Sequence, residues 1–150
     1  MEHFESVEQI LDFAIVREEE AARKYRELAE QAEQVELRRL FEEFAQEEVI
    51  HREKLRLVKA QKLLLPSQDR LIDLRLKHYV VDVHPEHERG FQQALLSAIR
   101  KEKAARALYQ DLAEYVDGDS EVRTLLLALA AEEGKHQQQF EKYYDTYFLT

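Results

Sequence analysis

The sequence predicts an all-α protein, an antiparallel four-helix bundle made of two similar helical hairpins joined by a long crossover. The 150 residues include only three Gly and two Pro, so turn signals are few and helix-favouring residues predominate. Apolar residues recur at alternating spacings of three and four, which places them on one face of each helix. The second half of the chain repeats the pattern of the first, so we expect two equivalent hairpins.

The four predicted helices cover about residues 6–33, 35–63, 89–116 and 121–147, within a single domain of residues 1–150. Ser6 and Gln9 form a capping-box pattern at the first helix, and the second must end before Pro66. Gly118 suits a left-handed C-cap and Ser120 an N-cap. The crossover, about residues 64–88, is too long for a tight turn, so we predict an up-down-down-up order. Within it, residues 79–83 are β-prone and are expected to be extended.

Each predicted helix carries one stripe of core positions. The stripe of the first helix consists of Leu11, Ala14, Glu18, Ala21, Tyr25, Leu28 and Ala32, and that of the third of Leu95, Ala98, Glu102, Ala105, Tyr109, Leu112 and Val116. The stripe of the second consists of Leu37, Phe41, Phe44, Glu48, His51, Leu55 and Val58, and that of the fourth of Val122, Leu126, Leu129, Glu133, His136, Phe140, Tyr143 and Tyr147. Glutamate and histidine therefore interrupt otherwise apolar stripes at matching places in both halves.

The composition excludes several classes of function. The formal net charge is −9, and the absence of a Lys/Arg run or basic stripe argues against nucleic acid as a partner. There is no Cys, which removes disulfides, thiolate metal sites and iron–sulfur clusters. No apolar run approaches the roughly 20 residues of a membrane span, and the acidic N-terminus is unlike a signal peptide. A soluble, cytoplasmic protein is the expectation.

The buried polar residues point to metal. An ionised carboxylate in a bundle core is costly unless it is paired or bound to a cation, and four at one level would repel one another. Glu and His three residues apart share a helix face and can reach one site. The donor set predicts two metal ions held between the helices, as in di-metal carboxylate bundles. The predicted ligands are Glu18, Glu48, His51, Glu102, Glu133 and His136.

The ligand types restrict the metal and leave some neighbours open. Mixed oxygen and nitrogen ligation favours iron or manganese, or a mixed pair, over magnesium and calcium, and structural zinc prefers closed sites rich in Cys and His. Glu47 and Glu132 could compete as ligands, although the helical wheel places them at the surface or behind the ligands. Tyr25 and Tyr109 fit either core packing or a hydroxyl hydrogen-bonded to a ligand carboxylate. Residues 84–87, His-Pro-Glu-His, are expected to form a solvated loop.

These phrases resemble a known family. Residues 14–18 and 98–102, each followed by Ala at +3 and Tyr at +7, are similar to the first and third helices of the rubrerythrin-type branch of the ferritin-like superfamily. The two Glu-x-x-His motifs and the crossover phrase of residues 73–83 resemble that family as well. The resemblance covers essentially the whole chain and implies a ferritin-like fold.

The resemblance also implies a function. It implies a non-haem di-iron centre, held by the six residues above, that reacts with peroxide or dioxygen in a cytoplasmic homodimer, in the context of oxidative stress. Full rubrerythrins carry a rubredoxin domain, but this chain has no Cys, so electrons would come from an external donor or from ferrous iron. Ala105 stands where rubrerythrins have an extra Glu. The remaining symmetric set resembles bacterioferritin, whose short fifth helix and haem-binding Met are not matched.

Three functions are therefore open from the sequence. The first is an oxidoreductase that reduces peroxide, or dioxygen, with electrons from an external donor. The second is a ferroxidase or iron-handling protein, for which ferrous iron is the substrate. The third is a metal-loaded structural bundle without turnover. Oxidation of bound ferrous iron separates the third from the other two.

Overall fold

The computed structural model describes Phe4 and residues 6–60, 78–81, 90–114 and 120–149. Over these ranges the protein consists of four helices: α1 (Val7–Gln31), α2 (Val35–Ala60), α3 (Gly90–Ala113) and α4 (Glu121–Phe148). The same ranges contain no strand, so the predicted all-α class is confirmed. Within that part of the chain, no helix combines the length and the apolar composition that a membrane span requires.

The helix starts follow from local capping. The Ser6 hydroxyl accepts a hydrogen bond from the Gln9 amide at 3.1 Å, and the Ser120 hydroxyl accepts one from the Arg123 amide at 3.0 Å. Both side chains satisfy amides that have no partner inside the helix, so the two predicted N-caps are confirmed. Gly90 begins α3 with a φ of 81°, a conformation that favours glycine. The predicted stops at Gly118 and Pro66 lie outside the described residues.

The helices form the predicted pair of hairpins. α1 packs along α2, and α3 packs along α4. One apolar cluster combines the N-terminal parts of α1 and α4 with the C-terminal parts of α2 and α3, and a second combines the four opposite ends. α1 and α4 therefore run in one direction and α2 and α3 in the other, which confirms the up-down-down-up order.

The predicted core stripes are buried, with a few departures. Ala21 and Ala105 are only half-buried, because they border a small opening described below. Tyr143 is also only half-buried. Tyr147 was expected in the core but is 49% exposed, because α4 continues further beyond the centre of the bundle than its neighbours do. Val116 lies outside the described residues.

The crossover is described only at residues 78–81. Tyr79 lies in a turn and is buried against Phe4, and its hydroxyl donates to Asp111 at 2.7 Å. Val80 and Val81 have no regular secondary structure, so this part of the predicted extended segment is not a strand. Residues 82–88, including the predicted loop at 84–87, lie outside the described residues.

Candidate metal centre

All six predicted ligands lie together in the middle of the bundle. Each is at most 2% exposed, and they separate the two apolar clusters of the core. α1 and α3 contribute Glu18 and Glu102, while α2 and α4 each contribute a Glu-x-x-His pair. Glu18 and Glu102 are thus core residues, as their place on the predicted stripes indicated. The sequence duplication thus places equivalent polar residues of the two hairpins in one buried layer.

The candidate ligand atoms form two overlapping groups. In each group they all lie within 4.8 Å of one another. The first group consists of Glu18, Glu48, His51 and Glu133, and the second of Glu48, Glu102, Glu133 and His136. Glu48 and Glu133 belong to both groups, so each can offer one oxygen to each of two cations. The buried cluster is able to hold metal, and its shared carboxylates suit two neighbouring ions.

The donor atoms of this layer fit a cation better than they fit one another. One oxygen of each of the four glutamates has no hydrogen-bond partner among the described residues, and neither has His136 Nδ1. His136 Nδ1 and Glu48 Oε1 lie 3.0 Å apart but are not aligned for a hydrogen bond. Buried acceptors without donors are strongly unfavourable, whereas a metal ion would satisfy all of them.

Both imidazole rings have the orientation that metal ligation requires. His51 Nδ1 faces the cluster, 2.9 Å from Glu133 Oε1 and 3.7 Å from Glu18 Oε2. On the other side of each ring, Nε2 contacts a carboxylate: Glu132 for His51 and Glu47 for His136. When Nε2–H donates to that carboxylate, the Nδ1 lone pair points at the cluster.

Glu47 and Glu132 therefore lie behind the ligands, one of the two places that the helical wheel allowed. Their side chains are 48% and 43% exposed, so neither belongs to the buried layer. Each contact joins α2 to α4, because Glu47 binds the histidine of α4 and Glu132 that of α2. The sequence signal was the glutamate immediately before Glu48 and before Glu133, but the partner could not be predicted from one helix alone.

Neutralising these two outer glutamates is expected to weaken metal binding. We expect Glu47→Gln and Glu132→Gln together to lower the affinity for Mn²⁺ about 10–100-fold, because each histidine loses the acceptor that fixes its tautomer. Isothermal titration with Mn²⁺ measures the change. The exposed Glu43 lies on the same face of α2 as Glu47, so Glu43→Gln is a matched control. Unchanged affinity in the double variant would show that the two contacts do not orient the histidines.

Tyr25 and Tyr109 hold two of the glutamates across the hairpins. The Tyr25 hydroxyl donates to Glu102, and the Tyr109 hydroxyl donates to Glu18. Both rings are at most 2% exposed. Of the two open readings, packing or hydrogen bonding to a predicted ligand, the structure shows both at once. The bonds are reciprocal between α1 and α3, so each tyrosine orients the carboxylate of the opposite hairpin.

The metal-free cluster holds its protons tightly. Burial, reinforced by the charges of Glu18 and Glu102, holds the pKa of Glu48 well above its usual range. Burial also raises the pKa of Glu102, although His136 and Tyr25 oppose it. For Glu18, burial is outweighed by contacts with Glu48 and His51, so its pKa is lowered. Two cations would replace these protons as counter-charges.

Burial acts to lower the pKa of the two histidines, the opposite of its effect on the glutamates. Burial disfavours the charged imidazole, but the adjacent Glu18 and Glu132 raise the pKa of His51 overall. Glu102 and Glu47 do the same for His136. Metal ligation requires neutral imidazole, so metal binding has to displace these protons as well.

A small cavity reaches the cluster from the side where α1 meets α3. Its volume is about 20 Å³, which is close to the space that one water-sized molecule needs. Ala21 and Ala105 are half-buried beside the cavity, and their short side chains do not fill it. The cavity is lined by Arg17, Glu18, Glu20, Ala21, Glu48, Lys101, Glu102, Ala105 and Glu133.

Together, the fold and the site define a four-helix carboxylate–histidine protein with a buried layer able to hold metal. The model of the rubrerythrin family matches residues 9–86 and 93–150. The chain therefore belongs to the rubrerythrin family, as the sequence resemblance implied. Neither the curated proteins nor the solved structures that were searched gave a match.

Proposed function

We propose that this protein is a non-haem di-iron oxidoreductase that reduces hydrogen peroxide with electrons from an external donor. The observation that carries the proposal is the pair of overlapping ligand groups, which share Glu48 and Glu133. Two adjacent ions can together give the two electrons that cleavage of the peroxide bond consumes. Membership of the rubrerythrin family supports the same chemistry.

The donor set favours iron among the candidate metals. Each group contains three glutamates and one histidine, a mixture suited to iron or manganese. Bound iron would supply electrons and Lewis acidity at this site. The fixed carboxylates and imidazoles would keep both ions in place as their charge rises, because four carboxylates favour the more highly charged state.

The protein's own residues assist by positioning and by access. Tyr25 and Tyr109 keep Glu102 and Glu18 oriented through hydrogen bonds, and Glu47 and Glu132 orient the histidines. The cavity of about 20 Å³ beside Ala105 is large enough for a small oxidant and too small for a bulky one. The site is thereby suited to a compact substrate.

A second candidate is a ferroxidase, for which ferrous iron is the substrate. The observation that favours it is the symmetry of the site: six ligands related by the internal duplication, with Ala105 where rubrerythrins carry an extra Glu. A symmetric set treats the two ions alike, which suits repeated uptake and release. A metal-loaded bundle without turnover is the remaining alternative.

Anaerobic loading with Fe²⁺ and stopped-flow absorbance separate these candidates. We expect two Fe²⁺ per chain and oxidation that is much faster with hydrogen peroxide than with dioxygen. Faster oxidation by dioxygen would favour the ferroxidase. Binding of Fe²⁺ without oxidation by either would favour the structural bundle, and no binding of Fe²⁺ would overturn the di-iron proposal.

A further inference from the structure

The metal-binding layer is symmetric, but the core on its two sides is not. Phe41, Phe44 and Phe140 adjoin Tyr25 at one end of the bundle. At the other end, the duplicated positions are occupied by leucines in the cluster that contains Tyr109: Leu126, Leu129 and Leu55. At these three duplicated positions, the cluster of Tyr25 therefore has aromatic rings where the cluster of Tyr109 has leucines.

The aromatic rings form a continuous series from the cluster to the surface. The centroid of the Tyr25 ring lies 5.3 Å from that of Phe140, which lies 5.5 Å from that of Phe41. Phe91 lies 5.8 Å beyond Phe41 and 6.2 Å from Tyr143. Tyr143 then stacks on Tyr147 at 4.3 Å, and Tyr147 is 49% exposed.

His136, one of the predicted ligands, also contacts this series of rings. The ring of His136 stacks on Phe44 with centroids 4.0 Å apart, and Phe44 lies 5.1 Å from Phe140. Tyr25 itself donates its hydroxyl hydrogen to Glu102. The cluster therefore touches the aromatic series at two points.

Tyr109 has the same carboxylate contact without the aromatic surroundings. It donates to Glu18 as Tyr25 donates to Glu102, and both phenols are fully buried. No ring contact joins Tyr109 to another aromatic side chain in the described part of the chain. The two phenols thus differ mainly in their connection to the surface.

We propose that the aromatic series is an electron-transfer route, in which Tyr25 exchanges single electrons with a one-electron reductant that acts at Tyr143 and Tyr147. Tyrosine is far easier to oxidise than phenylalanine, so Tyr25, Tyr143 and Tyr147 are the residues at which the radical resides. The phenylalanine rings between them are bridging groups. Tyr109 has no ring contact of this kind in the described part of the chain and takes no part.

The cellular use of this route rests on the proposed function. Reduction of one H₂O₂ to two H₂O consumes two electrons and two protons. When the cluster can give only one electron, Tyr25 supplies the second, and its phenol loses its proton towards Glu102 and becomes a neutral radical. Tyr143 and then Tyr147 re-reduce it: at each step one electron moves inward, the inner phenoxyl takes up one proton, and the outer phenol releases one proton and becomes the phenoxyl. A one-electron reductant such as ascorbate finally restores Tyr147, with one proton taken from water.

The route can be tested in the metal-free protein, without any peroxide reaction. A photogenerated ruthenium(III) tris-bipyridine oxidant removes electrons from exposed tyrosines, and freeze-quenched EPR detects the radicals. 3-Fluorotyrosine placed at position 25 identifies a radical there by its fluorine splitting, and the same label at position 109 is the matched comparison. We expect the split signal from the position 25 label and none from the position 109 label.

Two further variants decide whether the aromatic series carries the electron. Tyr143→Phe with Tyr147→Phe removes the two outer oxidisable phenols while keeping the aromatic rings, and we expect loss of the split signal at position 25. Tyr144→Phe is the control, because Tyr144 contacts Phe148 and Gln92 and lies outside the series; its signal should be unchanged.

Some results would overturn the route. Equal signals from both labels, no signal at position 25, or a position 25 signal that survives the double variant would each do so. Because no metal is present, any of these leaves the peroxide proposal standing. Slow oxidation of loaded iron by peroxide would count against that proposal alone.

Discussion

Replacing both Glu48 and Glu133 by alanine is expected to abolish the binding of both metal ions. These two glutamates belong to both ligand groups, so their loss leaves each group with one carboxylate and one histidine. Two ligands are too few to hold a divalent ion against water and buffer. Removal of Glu18 or Glu102, by contrast, leaves one group complete.

Inductively coupled plasma mass spectrometry after loading and desalting measures the result directly. We expect two ions per chain in the unchanged protein, one in Glu18→Ala and none in the double variant. Circular dichroism shows whether the variant is folded, and removing two buried carboxylates also removes their desolvation cost. Retention of both ions in the folded double variant would refute the assignment of Glu48 and Glu133 as shared ligands.

The six candidate ligands could be identified from the sequence because their signal is periodic and occurs twice. A single Glu-x-x-His motif is common in a helical, charged chain, but two copies on core stripes at matching positions are hard to explain as surface residues. The burial of Glu18, Glu102 and their partners follows from the same periodicity. Side-chain period determines which residues face the core, whatever the exact helix crossing angle.

The contacts between hairpins could not be predicted in the same way. Which carboxylate Tyr25 reaches, and which histidine Glu132 reaches, depends on the relative height of two helices that are distant in sequence. Helix packing determines that register, and a one-residue shift would change every partner. The exposure of Tyr147 was missed for a related reason, because periodicity indicates a face but not where the neighbouring helices end.

Removing metal is expected to destabilise the protein most strongly at high pH. Burial raises the pKa of Glu48 and Glu102 above 4.5, and neighbouring glutamates raise those of His51 and His136 above 6.5. The folded metal-free state therefore binds more protons than the unfolded state above these values, so its stability falls as pH rises. Glu18, whose pKa is lowered, has the opposite effect, but only below about pH 4.5.

The stabilisation that metal binding provides should instead increase with pH. The ions must displace these protons, and fewer protons compete with them at high pH. At free metal about 1,000-fold above Kd, each site adds about 4 kcal/mol. At about 2–4 °C per kcal/mol for a chain of this size, two sites raise the melting temperature by on the order of 15–30 °C.

Differential scanning calorimetry with EDTA and with Mn²⁺, at about pH 5.5 and about pH 8, measures both effects. We expect the metal-free melting temperature to fall over this range and the increase caused by Mn²⁺ to grow. Glu48→Gln is the informative control, because an amide cannot ionise and the metal-free protein should then lose less stability as the pH rises. A metal-free melting temperature that rises towards pH 8 would contradict the protonated cluster, whereas an equal Mn²⁺ effect at both pH values would show that metal binding does not displace its protons.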